Sequence, residues 1–158
     1  MSSVSAPSFP GWRQWLAAEG GAVPFRRFME AALYDPDFGY YRRRIRTVGA
    51  RGDFSTSATL SPQLAEAVAA WMESGEGAGL RHVIEIGPGS GVLHRALRQA
   101  LGWRGRWHWH SHLVERSPGL RAGQQRTLGR LTRGAQWHED PAAALEAAGG
   151  RAVIFSNE

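Results

Sequence analysis

The residues best spaced for chemistry run from Val83 to Gly91, in the order Val-Ile-Glu-Ile-Gly-Pro-Gly-Ser-Gly. An apolar strand entering glycines lets the backbone turn sharply and lie close to a ligand. The helix that follows aims its first amide N–H groups at whatever binds there. The glycines are Gly87, Gly89 and Gly91, with Pro88 between the first two, and Val92 stands where a dinucleotide fingerprint requires its last glycine. Glu85, two residues before the loop, would repel a pyrophosphate and suits a cationic group. Glu115, 24 residues after Gly91, ends the next strand-like segment, where an acid can hydrogen-bond both ribose hydroxyls. The competing reading of Glu115 is a cap for the helix opening at Ser117-Pro118.

A ligand with a ribose, an ammonium group, a further cation and no phosphate fits these positions, and S-adenosylmethionine is such a ligand. Asp140, in the loop after the third strand, is then placed to accept from the adenine amino group. A nicotinamide dinucleotide fits less well, because Val92 breaks its fingerprint and Glu85 opposes its phosphates.

These residues need elements to hold them. From Leu80 the pattern alternates strand and helix. It predicts strands at 81–86, 107–115, 135–138 and 152–155, and helices at 92–101, from 117 to about 131, and at 141–148. Leu93, Leu97 and Leu101 share one helix face, and Ser117-Pro118 is a side-chain cap followed by Pro at the first helical position. Such alternation predicts an α/β fold, a Rossmann-like parallel sheet with helices on both faces. The sequence stops at the mouth of the fourth strand, so only the first four strands of a longer sheet are expected. Before residue 80 the chain reads as a helical region with an irregular insert, which sets the expected domains at 1–79 and 80–158. Phe25, Phe28, Met29, Ala32 and Leu33 draw one apolar helical stripe, ended at Asp35-Pro36, and Leu64, Val68, Trp71 and Met72 draw another after Ser61-Pro62. Residues 35–60 read as a loop or loose hairpin.

Several words of the sequence occur together in a known order. They are Phe28-Met29 with Ala32-Leu33-Tyr34, Gly39-Tyr40-Tyr41, Gly52-Asp53-Phe54 with Thr56, the loop 85–91, Val114-Glu115, Ser117-Pro118 with Leu120, Gln124, and Phe155-Ser156-Asn157-Glu158. In these the chain resembles the MidA-like methyltransferases, a family that includes a mitochondrial complex I assembly factor methylating arginine. The resemblance covers residue 24 to the end. It implies a class I methyltransferase fold, S-adenosylmethionine as cofactor and a protein as methyl acceptor, arginine being the acceptor in the mitochondrial branch.

Methyl transfer is an in-line displacement at an activated sulfonium methyl, so the protein chiefly aligns the two partners. A cationic arginine acceptor needs carboxylates that orient it by paired hydrogen bonds. Glu158 and Asn157, at the carboxyl end of the fourth strand, are the candidates, together with Asp53. Tyr40, Phe54 and Thr56 are the candidate lid and substrate residues, on an insert that could close over the site.

Composition narrows the alternatives. The chain has 158 residues and a net charge of +5, with every basic residue an Arg. The absence of Cys excludes disulfides, thiolate metal sites and a Cys nucleophile. No apolar run reaches the roughly 18–20 residues that would span a bilayer, so a soluble chain is expected. Residues 1–10 lack the apolar stretch of a signal peptide, which points to the cytoplasm, or to mitochondria if the source is eukaryotic. Arg42, Arg43, Arg44 and Arg46 form the one dense basic cluster and keep a nucleic-acid methyltransferase as an alternative. A non-catalytic cofactor-binding or assembly protein is the other alternative. His108, His110 and His112 alternate along the predicted second strand and would share a face, but no carboxylate accompanies them, so no metal site is expected. The seven Trp residues are expected in core and helix packing. The apolar fourth strand, left at a sheet edge, is expected to seek a partner chain or a second copy.

Overall fold

The computed structural model describes residues 10–43, 62–74, 77 and 79–157. Its contacts divide the chain into two units, Met1–Ile45 and Arg46–Glu158. The first holds α1 (Pro10–Ala18), α2 (Phe25–Tyr34) and the short α3 (Tyr40–Arg43). Aromatic rings hold it together. The Trp12 ring stacks on Trp15 at 5.0 Å and meets Phe28 edge-on at 5.0 Å and Phe38 at 5.6 Å. Between these rings lies an apolar cleft of about 220 Å³ lined by Trp12, Phe28, Ala32 and Phe38. α2 ends where Asp35-Pro36 requires, and Asp35 Oδ1 then accepts from the amides of Asp37 and Phe38 at 2.8 and 3.2 Å. The expected stripe on α2 is only partly used. Phe25 is 74% exposed, while Ala31, off the stripe, is the buried residue of this helix. Phe28 and Ala32 line the cleft with Trp12, whereas Phe25 stacks on Phe28 at 6.0 Å.

The second unit is built on a four-stranded parallel sheet in the order β3-β2-β1-β4. The strands are β1 (His82–Ile86), β2 (His110–Val114), β3 (Ala135–His138) and β4 (Val153–Ser156). Register pairs Ile84 with His112 on one side and with Ile154 on the other. Helices cover both faces, as parallel strands require. On one face Val83 packs against Ala65, Ala69 and Met72 of α4 (Gln63–Glu73) and Leu93 and Leu97 of α5 (Val92–Ala100). On the other, Ile84 and Val114 pack against Ala144 of α8 (Pro141–Ala147) and against Ala148. The α/β architecture expected from the alternation is therefore present, with Val83 and Ile84 of β1 buried on opposite faces of the sheet.

Four features depart from what the sequence leads one to expect. The boundary expected at residue 79 falls inside the second unit, because α4 packs on α5 and the sheet. The buried face of α4 is Ala65, Ala69 and Met72, leaving Leu64 and Trp71 37% and 45% exposed. Small residues let α4 approach α5 closely, which a hydrophobicity count overlooks. The stretch expected to begin a strand at Trp107 is instead α6 (Gly102–His108), entered through Gly102 at φ 61°. Alternating rings imitated the period of a strand there. Trp103 and Trp107 are consequently 64% and 81% exposed, and of the aromatic run only Trp109 enters the core. Beyond β2 come α7 (Pro118–Leu128) and a short 3₁₀ turn (Gly129–Thr132), so α7 ends earlier than expected. β4 hydrogen-bonds to β1 alone among the described strands, with Ile154 half exposed.

Candidate functional site

The glycine loop leaves the carboxyl end of β1, at the middle of the sheet. Gly87, Gly89 and Gly91 all have positive φ, at 67°, 53° and 78°. The Gly87 amide bonds the Val114 carbonyl at 3.1 Å, which continues the β1–β2 ladder into the loop, and the Gly91 amide closes a turn on Pro88 O at 2.7 Å. Gly91 is also the N-cap of α5, without a side-chain cap. A Cβ there would lie 3.2 Å from Leu128 Cδ1 and 3.3 Å from Gln124 Cα, so α7 is seated directly against the loop.

Glu115 sits just past the end of β2, 9% exposed. Its Oε1 accepts from the Ser117 amide at 2.8 Å and its Oε2 from Gln124 Nε2 at 3.1 Å. Burial pushes its carboxyl above the usual range, against the pull of the Ser117 amide, Gln124, the Arg116 amide and the Arg121 guanidinium. Helix capping falls to Ser117, whose Oγ accepts from the Leu120 amide at 3.3 Å. Glu115 therefore orders the entry to α7, and Gln124 links its carboxyl to the glycine loop. A carboxylate offers roughly four acceptor positions, so it can serve these amides and a diol hydroxyl as well. The network extends through Gln124, which is fully buried. Its Nε2 also donates to Gly89 O at 3.0 Å, and its Oε1 accepts from Trp137 Nε1 at 2.8 Å. Spacing along the chain assigns Gln124 no role of its own. A polar residue on the loop-facing side of α7 was the available signal.

Glu85 is placed differently from its expected part. It is 2% exposed, and its Oε2 lies 2.9 Å from Nδ1 of His94, itself fully buried on α5. An ammonium group would have to share this carboxylate with the imidazole. His94 Nε2 is buried without a partner among the described atoms. Asp140 caps α8, its Oδ1 accepting from the Ala143 amide at 2.9 Å. Asn157 follows β4. Tyr40 lies in the first unit, its ring edge-on to Tyr41 at 5.4 Å. Asp53, Phe54, Thr56, Glu158, Arg44 and Arg46 lie outside the described residues.

The expected trio His108, His110 and His112 is broken up, because His108 ends α6 and its Nε2 meets the Leu80 carbonyl at 3.1 Å. A different row replaces it across three strands on the α8 face. His112 Nε2 is 2.9 Å from His82 Nδ1, and His112 Nδ1 is 3.0 Å from His138 Nε2. Burial, followed by its imidazole neighbours, lowers His112 to about 4. Burial likewise lowers His82 and His138. Such a linear row offers no converging ligand set, and no metal-holding group occurs among the described residues.

Residues 64–158 match the family described as "Putative S-adenosyl-L-methionine-dependent methyltransferase", and the chain belongs to that family. Over 117 residues it is 34% identical to the protein arginine methyltransferase NDUFAF7, mitochondrial, of Danio rerio, covering 68% of this chain and 27% of that protein. The Drosophila melanogaster homolog of that protein is 33% identical, with 66% and 25% covered. A COG1565 superfamily member from Burkholderia thailandensis, crystallised with S-adenosyl-homocysteine, superposes with a TM-score of 0.66 at 34% identity. That match covers 83% of this chain and 36% of the other. The chain thus spans about a quarter of the length of the curated relatives.

Proposed function

We propose that this chain carries the S-adenosylmethionine site of a methyltransferase whose acceptor is a protein, with an arginine side chain as the group methylated. The observation that carries the reading is the pairing of a positive-φ glycine loop with the buried carboxylate of Glu115, in a member of this family. The bound cofactor supplies an activated methyl group and needs no further chemistry from the protein to be reactive.

The chain's own residues bind and orient. The loop at 87–91 offers close backbone approach, and Glu115 receives the ribose hydroxyls. Glu85 favours the cationic amino-acid end, held in place by His94. Asp140 stands near the adenine. Asn157 and Glu158 are proposed to hold the acceptor, with Asp53 assisting and Tyr40, Phe54 and Thr56 closing over it. Support for the acceptor comes from the names of the two relatives, both protein arginine methyltransferases and both mitochondrial. No described helix is long and apolar enough to cross a membrane. For the compartment we keep the cytoplasm, or mitochondria in a eukaryotic source.

Calorimetric titration with S-adenosylhomocysteine, with NAD as control, tests the cofactor. Saturable binding of the first alone, lost in Gly89→Arg with circular dichroism unchanged, is expected. Equal binding of both, or of neither, refutes the reading. Transfer of a labelled methyl group to an arginine peptide then separates catalysis from binding alone.

A further inference from the structure

Gln124 is a buried polar side chain that ties three parts of the second unit together. It is 0% exposed, and its three hydrogen bonds reach three separate segments: Gly89 O in the loop, Glu115 Oε2 after β2, and Trp137 Nε1 on β3. The chemistry of the partners fixes the amide orientation. An indole N–H can only donate, so it must meet Oε1, while a carbonyl and a carboxylate can only accept, so both must meet Nε2. The flipped amide would set donor against donor and acceptor against acceptor. Helix α7 is meanwhile locked against the loop, because Gly91 leaves no room between itself and Gln124.

We infer that Gln124 is a positioning residue: its amide clamps the Gly89 carbonyl to the Glu115 carboxylate, so that loop and acid meet the ligand as one rigid piece. The inference rests on the cofactor reading above and adds to it the part that sets the geometry. The Gln124 N–H also favours the ionised form of Glu115, against the burial that raises its carboxyl. The other groups around it are the Arg116 and Ser117 amides, the Arg121 guanidinium (Nε 2.5 Å from Glu115 O and one terminal nitrogen 3.5 Å from Glu139), and His138, whose carbonyl accepts the Glu115 amide at 2.9 Å. All of these are unchanged when only position 124 is substituted.

Two substitutions separate positioning from bulk support. Gln124→Met keeps the length and removes every hydrogen bond. Gln124→Glu keeps the length and the acceptor, and replaces the donor with a second carboxylate that must share a proton with Glu115 to coexist with it. S-adenosylhomocysteine is titrated into the wild-type chain and both variants at about pH 8 and about pH 6, where a crowded carboxylate pair changes its protonation. At the higher pH both variants should bind roughly tenfold to a hundredfold more weakly, the range for a lost hydrogen bond to a charged group. At the lower pH the Glu variant should recover towards wild type, because the shared proton restores a donor, while the Met variant should not. Wild-type affinity in both variants, or a loss in the Glu variant that is equal at both pH values, overturns the positioning role. A wild-type chain that ignores the ligand overturns the cofactor reading instead. If either variant unfolds, the wild-type Gln124 side-chain amide decides by NMR. Two distinct, slowly exchanging protons that move with the ionisation of Glu115 are expected, and a freely exchanging pair refutes the clamp.

Discussion

Acidification should destabilise this fold through one buried ring. His112 is 1% exposed between the imidazoles of His82 and His138, and is lowered to about 4 from 6.5. A base whose native pKa is depressed binds more protons when unfolded, so stability falls as the pH drops below 6.5 and levels off near 4. The full difference of 2.5 units, at 1.36 kcal/mol each, is worth about 3 kcal/mol. Of this, about 1 kcal/mol should be lost between pH 7.5 and pH 5.5, a large fraction of a typical domain's stability. His82 and His138 are shifted in the same direction and add to the loss. Glu115, an acid raised by burial, works against it, because the native state takes up its proton first. Urea denaturation followed by circular dichroism at the two pH values gives the wild-type slope. The same pair of curves for His112→Gln isolates the ring, since the other groups titrate in both proteins. The variant should lose at least about 1 kcal/mol less than wild type on acidification. Identical pH slopes in the two proteins would refute the argument, whatever the absolute stabilities.

Three further outcomes follow from single contacts. Gly91→Ala forces a left-handed residue and a Cβ into 3.2–3.3 Å contacts, so it should cost about 2 kcal/mol by chemical denaturation and weaken S-adenosylhomocysteine binding with it. Ser117→Ala removes the cap of α7 and should cost about 1 kcal/mol, with unchanged ligand stoichiometry by calorimetry. Glu115→Gln removes the charge that Gln124 and the Ser117 amide hold, so affinity should fall at least about tenfold while the circular dichroism spectrum is retained. Wild-type affinity in that variant would remove Glu115 from the site.

The parallel sheet and the loop were legible because each rests on a local rule. Leu93, Leu97 and Leu101 repeat at helical spacing, Ser117-Pro118 announces a helix start, and three alternating glycines announce a turn with positive φ. The α4 face was misread because Ala65 and Ala69 carry their packing role in their smallness, and a pattern of large apolar residues does not register that. The α6 segment was misread because Trp107 and Trp109 alternate like strand residues, whereas Gly102 admits a helical turn that places one outside and one inside. The imidazole row joins residues 82, 112 and 138, brought together only by strand register. The Glu85–His94 pair depends on the angle between α5 and the sheet, and the threefold grip of Gln124 on the packing of α7 against the loop. Long-range pairing decides such contacts, and spacing along the chain does not encode it.

The bonds converging on Gln124 also constrain how sequences of this kind can drift. A change at 137 that removes the indole N–H leaves the Gln124 carbonyl oxygen without its donor, and a change at 124 strands the Glu115 carboxylate and the Gly89 carbonyl. No single replacement at these positions is neutral while the others stay, because each would bury an unpaired polar atom. Natural variation among relatives should therefore move positions 115, 124 and 137 as a set, with intermediates rare. Whoever transplants this loop into another scaffold must carry the glutamine and the tryptophan with it.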